Sequence, residues 1–284
     1  MKRVGIVTDS TADVPADIAE ELGIAVLPCQ IYFGEEAYED GVDLAPQAFF
    51  EKLAKSAELP RTTQPPLGRF VQAYRKLLAE DGIEKILSIH IAGSLTGTVN
   101  GAWAAAQTLP DPSRVEVIDT GQLSMGAGWA AIEAARLART GAIAGEVSRA
   151  VRALLPRLRV AAMLDTLDNL RKGGRISQVS AALGTVFQIK PLLDVRNGKI
   201  TALAKVRSRS QALRGLHGVV RNWGPLAEAA VLHTGDEVAA QALADQIRDL
   251  VKGERVLLAP AGSALATHLG LGAVGVCAVA AAGT

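Results

Sequence analysis

The sequence predicts an α/β protein of two domains, a parallel-sheet α/β domain over residues 1–157 and an α+β domain over residues 158–284. Three observations carry this. Three strand–loop–helix units follow one another in the first half, and strands that alternate with helices build parallel sheets. In the second half, Asn197-Gly198 stands between two apolar runs, a strong hairpin signal and so a sign of antiparallel pairing. The pattern changes character near residues 154–158, where the boundary is placed.

The first unit is an apolar strand at 3–7, the polar loop Thr8-Asp9-Ser10-Thr11-Ala12-Asp13, and a helix from near Pro15 to just before Gly23. Proline suits a first helical turn because its missing N–H would have lacked a partner there anyway. A strand at 24–27 follows directly. The second unit runs from Lys85-Ile86-Leu87 through the loop at 88–98 into a helix at 99–106. The third joins a strand at 115–118, a loop at 119–126 and an alanine-rich helix through Ala135. Later come a strand at 160–164, a short helix at 165–170 and the basic turn Arg171-Lys172-Gly173-Gly174-Arg175. The hairpin pairs 189–195 with 199–206. It is followed by helices at 210–222 and 238–251 and strands at 229–232, 255–259 and 275–279.

Thirty basic side chains nearly cancel twenty-nine acidic ones, which argues against a general nucleic-acid or membrane-surface binder. The two cysteines, Cys29 and Cys277, sit among apolar residues and read as buried free thiols. No apolar run is long enough for an integral membrane segment, and the N-terminus turns polar too early for a signal peptide; a cytoplasmic protein is expected.

In a parallel sheet, ligands gather beyond the carboxyl ends of the strands, where the loops at 8–13, 88–98 and 119–126 should converge. The second of these, with Ser94, Leu95, Thr96, Gly97 and Thr98, opens a helix. Free N–H groups beside small hydroxyls suit a carboxylate or phosphate, although an ordinary threonine N-cap explains the same residues. Arg61-Thr62-Thr63-Gln64-Pro65-Pro66 reads as a connector of restricted shape between two helical stretches, its hydroxyls and amide able to close over a polar group. The basic turn at 171–175 is either a solvated surface or an anion dock, to which Lys190, Lys205, Arg207 and Arg209 add. His268 falls in a glycine-rich turn. With His90, His217 and His233 it forms no metal-ligand pattern, and no P-loop or GxGxxG fingerprint is present. No catalytic residue, metal, cofactor or nucleotide site is expected.

Taken in order, Thr8-Asp9-Ser10-Thr11-Ala12-Asp13, Thr62-Thr63-Gln64-Pro65, Leu95-Thr96-Gly97-Thr98, Gly173-Gly174-Arg175-Ile176-Ser177, Ile189-Lys190-Pro191 and His268-Leu269-Gly270 resemble the DegV family of bacterial lipid-binding proteins. The resemblance covers essentially the whole chain. It implies a tunnel between the two domains that holds one long-chain fatty acid, such as palmitate or oleate. The acid's carboxylate would be presented to a separate ATP-binding kinase subunit, which makes the acyl phosphate. By that resemblance Thr62, Thr96 and His268 bind the carboxylate, and Ser10, Thr63, Ser94, Gly97, Thr98 and Ser124 support the headgroup loops. Arg175 and Arg207 would face the partner or the transferred phosphate. Thr96 replaces the family's serine and keeps the hydroxyl. Ala92-Gly93 stands where the family usually has Ser-Ser, Thr63 where serine is common, and Pro66 where a small residue is common. Two other readings share these loops. One is a phosphoryl-transfer enzyme on a small polar metabolite with His268 as base or phosphate carrier; the other is a regulatory protein that senses lipid.

Overall fold

The computed structural model describes residues 3–80, 82–179, 189–253 and 255–282. The first half runs β1 (Arg3–Asp9), α1 (Ala16–Leu22), β2 (Ile24–Leu27), β3 (Gln30–Phe33), β4 (Glu36–Glu39), α2 (Pro46–Lys55) and β5 (Arg61–Thr63). It continues through α3 (Leu67–Ala79), β6 (Ile83–His90), α4 (Thr98–Gln107), β7 (Val115–Asp119), α5 (Met125–Arg139) and α6 (Ala144–Leu154). The second half runs β8 (Leu158–Met163), α7 (Asp168–Lys172), β9 (Lys190–Arg196), β10 (Lys199–Val206), α8 (Arg209–Arg221) and β11 (Leu226–His233). It ends with α9 (Glu237–Ile247), β12 (Leu257–Pro260), α10 (Ser263–Leu269) and β13 (Val274–Ala280).

Strands β2-β1-β6-β7 form an all-parallel sheet in that order. The chain leaves β1 to one side for β2 and to the other for β6, so the loops after β1 and β6 part at a crevice. Such a point is where open α/β sheets take their ligands. Phe70 and Tyr74 of α3 and Ala102, Ala105 and Ala106 of α4 cover one face of the sheet. The opposite face lies on α5.

The second sheet has the order β10-β9-β8-β13-β11-β12, antiparallel except for the β11–β12 pair. Its hairpin turns on Asn197 at φ 50° and Gly198 at φ 72°, the left-handed pair that a two-residue turn requires. Helices α8 and α9 cover one face through Ala212, Leu216, Val220, Leu243 and Ile247. On the other face lies α5, whose Met125, Trp129, Ile132 and alanines join Val160, Val195 and Cys277 in one apolar core. Gly126 and Gly128 permit this double contact. A Cβ on Gly126 would lie 2.5 Å from Val160 of β8, and one on Gly128 would lie 2.6 Å from the Ala12 carbonyl.

A third sheet, β4-β3-β5, is antiparallel and small. It corrects the reading of residues 61–66 as a connector, because Thr62 pairs with Ile31 and Thr63 with Gln30. With α2 and α10 it encloses Ile31, Leu44, Phe49, Phe50 and Ala266. A second correction concerns His268. It stands in the last turn of α10 and not in a flexible glycine turn; the glycine that follows, Gly270 at φ 75°, ends the helix.

Candidate functional site

The loops after β1, β6 and β7 do converge. Thr11, then Ile91, Leu95 and Thr96, then Leu123 line a cavity of about 710 Å³ that includes its open mouth. Thr62, Thr63 and Gln64 close one side from β5 and the turn after it. Ala264, Leu265, His268 and Leu269 of α10, with Arg175 and Ile200, close the other. A second cavity of about 600 Å³ shares Leu123, Ile200, Leu265 and Leu269 with the first. Its walls are almost wholly apolar, with Val160, Ala161, Ala162, Leu193, Val195 and Leu232 among them. The hydroxyls of its two alcohols, Ser124 and Thr234, already bond to Asp13 and to the Gly270 carbonyl.

At the polar end Thr62 Oγ1 lies 2.8 Å from His268 Nε2, joining residues 206 positions apart. Burial, with the Arg175 charge beside it, pushes the His268 imidazole down to about 4, so the ring is neutral at physiological pH. Its Nδ1 is buried against Gly173 without a partner among the described residues, and a Cβ at Gly173 would come within 2.8 Å of it. Thr96 Oγ1 lies 3.0 Å from Thr98 Oγ1. The N-cap of α4 is Gly97 and makes no side-chain cap, so the ordinary threonine cap is not what the hydroxyls form. The N–H groups of the first turn of α4 follow directly on Thr96 and have no intrahelical acceptor. Gln64 lies over Gly97 and Gly101, where Cβ atoms would fall 2.2 Å and 3.0 Å from its amide.

Thr62, Thr63, Thr96, His268 and Arg175 thus meet on one cavity. The other sequence-derived positions stand around it. Ser10 donates to Asp40 at 2.9 Å, Ser94 to the Gly198 carbonyl at 2.6 Å, and Ser124 to Asp13; each fastens a loop. Neither Ala92 nor Gly93 lines the cavity. Ala92 abuts the tip of the β9–β10 hairpin, and Gly93 donates its N–H to Asp119 at 3.0 Å. Arg207 is exposed and lines neither cavity. Arg209 does not extend a basic surface: it donates to Asp165, Asp236 and the Gly272 carbonyl, and Lys190 pairs with Asp165 at 3.4 Å.

Two features went unread in the sequence. One is a fully buried chain in which Tyr74, Ser88, His90 and Asp9 are linked at 2.8, 2.7 and 2.6 Å. Asp9 then accepts from the backbone N–H and the hydroxyl of Thr11, which lines the cavity. The signal was available, since Ser88 and His90 are two apart on a strand and share a face. The other is a pair of carboxylates, Asp13 and Asp40, set against the start of α10.

An interdomain cavity with a hydroxyl–imidazole rim and an apolar depth, placed at the switch point of a parallel sheet, defines a two-domain α/β protein with a ligand-sized site. The family model described as "Uncharacterised protein, DegV family" matches residues 3–281, and the chain belongs to the DegV family. It is 36% identical over 278 residues to a DegV domain-containing protein of Streptomyces coelicolor, covering 97% of this chain and 98% of that one. It is 31% identical to protein DegV of Bacillus subtilis, covering 96% and 98%. Among solved structures, a DegV family protein from Thermus thermophilus described by its fatty acid binding superposes with TM-score 0.88 at 33% identity, over 98% of this chain and 100% of that one. The Bacillus subtilis DegV structure, described as a fatty acid binding protein, superposes with TM-score 0.87 at 28% identity, over 99% and 100%.

Proposed function

We propose that this chain binds one long-chain fatty acid, places its carboxylate among Thr62, Thr96 and His268, and presents it to a separate ATP-binding kinase subunit that converts it to the acyl phosphate. The observation that carries the reading is the pairing of Thr62 with His268 on a cavity that shares walls with an apolar one. Burying about fourteen methylenes at about 0.8 kcal/mol each gives roughly 11 kcal/mol before ordering costs, so the tail supplies the affinity. The hydroxyls and the first N–H groups of α4 then set the headgroup's position. Neutral donors suit presentation. A tight ion pair would stabilise the ground-state carboxylate and weaken its oxygen as a nucleophile, whereas the hydroxyls of Thr62 and Thr96 position it without adding a positive charge. Arg175 at the rim and Arg207 outside it are assigned to the side that meets the kinase or the transferred phosphate.

Native mass spectrometry of the purified protein, followed by lipid extraction, tests the ligand. A stoichiometric fatty acid is the expected result; a bare mass with no uptake of added palmitate or oleate contradicts it. Thr62→Ala combined with Thr96→Ala should weaken retention at least tenfold without unfolding, on the order of one hydrogen bond to a charged group. The kinase step is tested by recovering an ATP-binding partner and following acyl phosphate formation from bound lipid.

A further inference from the structure

Resting on that reading, we propose that Asp13 and Asp40 are positioning residues: they grip the start of α10 and so hold His268 at the far end of that helix against Thr62. Helix α10 is seven residues long and cannot hold its own first turn by internal bonds. Two carboxylates from the first forty residues supply the acceptors. Asp13 Oδ1 takes the Gly262 N–H at 2.8 Å, Asp40 Oδ1 takes Ser263 N–H at 2.9 Å, and Asp40 Oδ2 takes Ala264 N–H at 3.3 Å. Gly262 is what lets Asp13 approach, since a Cβ there would sit 2.9 Å from its Oδ1.

The grip is itself braced. Ser10 donates to Asp40 Oδ2 at 2.9 Å and accepts the Cys29 N–H at 3.1 Å, while the Asp40 N–H bonds to the Cys29 carbonyl at 2.9 Å. At the other end Asn169 holds the Thr267 carbonyl at 2.9 Å, next to His268. A single helical rod of about 1.5 Å rise per residue therefore connects the carboxylates to the imidazole, and a shift at its start is carried to His268. The Thr62–His268 contact at 2.8 Å has less than an ångström of slack before it ceases to be a hydrogen bond.

The two carboxylates have different needs, which makes the proposal testable. Asp40 accepts a backbone N–H of α10 on each of its oxygens, so in Asp40→Asn one N–H of α10 meets an amide N–H. Asp13 needs one fixed acceptor only, because the Ser124 hydroxyl can reverse and accept from an amide. The measurement is binding of palmitate and of its methyl ester, with the ring-nitrogen signals of His268 followed by NMR. In Asp40→Asn the acid-over-ester preference should fall about tenfold with ester affinity unchanged, and the His268 signal should move. Ser10→Ala, a milder variant for use if Asp40→Asn does not fold, should shift both readouts in the same direction. Asp13→Ala should behave like Asp40→Asn, and Asp13→Asn should restore the wild-type values. An unmoved His268 signal in Asp40→Asn and Ser10→Ala, or equal losses for acid and ester, overturns the proposal. If the wild type binds neither ligand, the fatty acid reading falls separately, and the ring signal alone decides whether the carboxylates position His268.

Discussion

Asp13 occupies the left-handed region at φ 52°, and burial pushes its carboxyl up to about 7 against the hydrogen bonds from Ser124 and Gly262. A raised carboxyl binds more protons in the folded than in the unfolded state between its ordinary value and about 7, so this group's contribution to stability declines as pH rises through that window. Asp13→Asn removes the slope. Its melting temperature relative to wild type should rise from about pH 5 to about pH 8, and a difference that is flat with pH contradicts the assignment. Gly173→Ala would set a methyl against His268 Nδ1 and should weaken acid binding more than ester binding, measured by the same pair of ligands. At this scale sequence reading finds what is short-range. The hydroxyls of Thr62 and Thr96 and the imidazole of His268 stand in recognisable runs. Asp13 and Asp40 escape notice because their partners on α10 are 249 and 223 residues away, and nothing near either aspartate in the chain marks them as caps.

Among the elements, the β9–β10 hairpin shows how a local signal fixes a distant contact. Asn197-Gly198 reads as a turn from two letters, and the same turn then docks on the first domain. The Gly198 N–H reaches the Gly121 carbonyl at 2.8 Å, and its own carbonyl takes the Ser94 hydroxyl. Gly198→Ala combines a left-handed φ with a Cβ 2.6 Å from Ser94 Oγ. It should cost about 1–2 kcal/mol in denaturant unfolding and free the tip from the loop at 92–94. The small β4-β3-β5 sheet is the element that sequence reading misses. Its strands are three or four residues long, too short for an alternating pattern to emerge, and prolines after Thr63 draw attention to a loop. The histidine turn is misread for a related reason: the glycines lie just past the helix end and mask the four-residue spacing of Ala264 and His268 on α10.

At the scale of the molecule, the alternating first half and the hairpin of the second lead to the right pair of sheets, because periodicity reports which face of each element is buried. They do not reveal that the sheets share a helix. The apolar cavity against the second sheet should be tunable, and Ala162→Phe, which places a ring among its walls, should shorten the longest acyl chain found by native mass spectrometry. Bound lipid should also raise the melting temperature, since free ligand at 100 times its dissociation constant adds about 2.7 kcal/mol. Helix α5 has a further consequence. Eleven of its fifteen residues are buried, against β1 and β6 on one side and β8 and β13 on the other, and Trp129 donates to the Cys277 carbonyl at 3.0 Å. A hinge that swung the sheets apart would strip this helix bare. On the fatty acid reading, lipid would enter by local movement at the cavity mouth and not by hinging of the sheets, and calorimetry should record a single melting peak. The second half expressed apart, from residue 158 onward, should fail to fold, because the helix that completes its core would be left behind on the first.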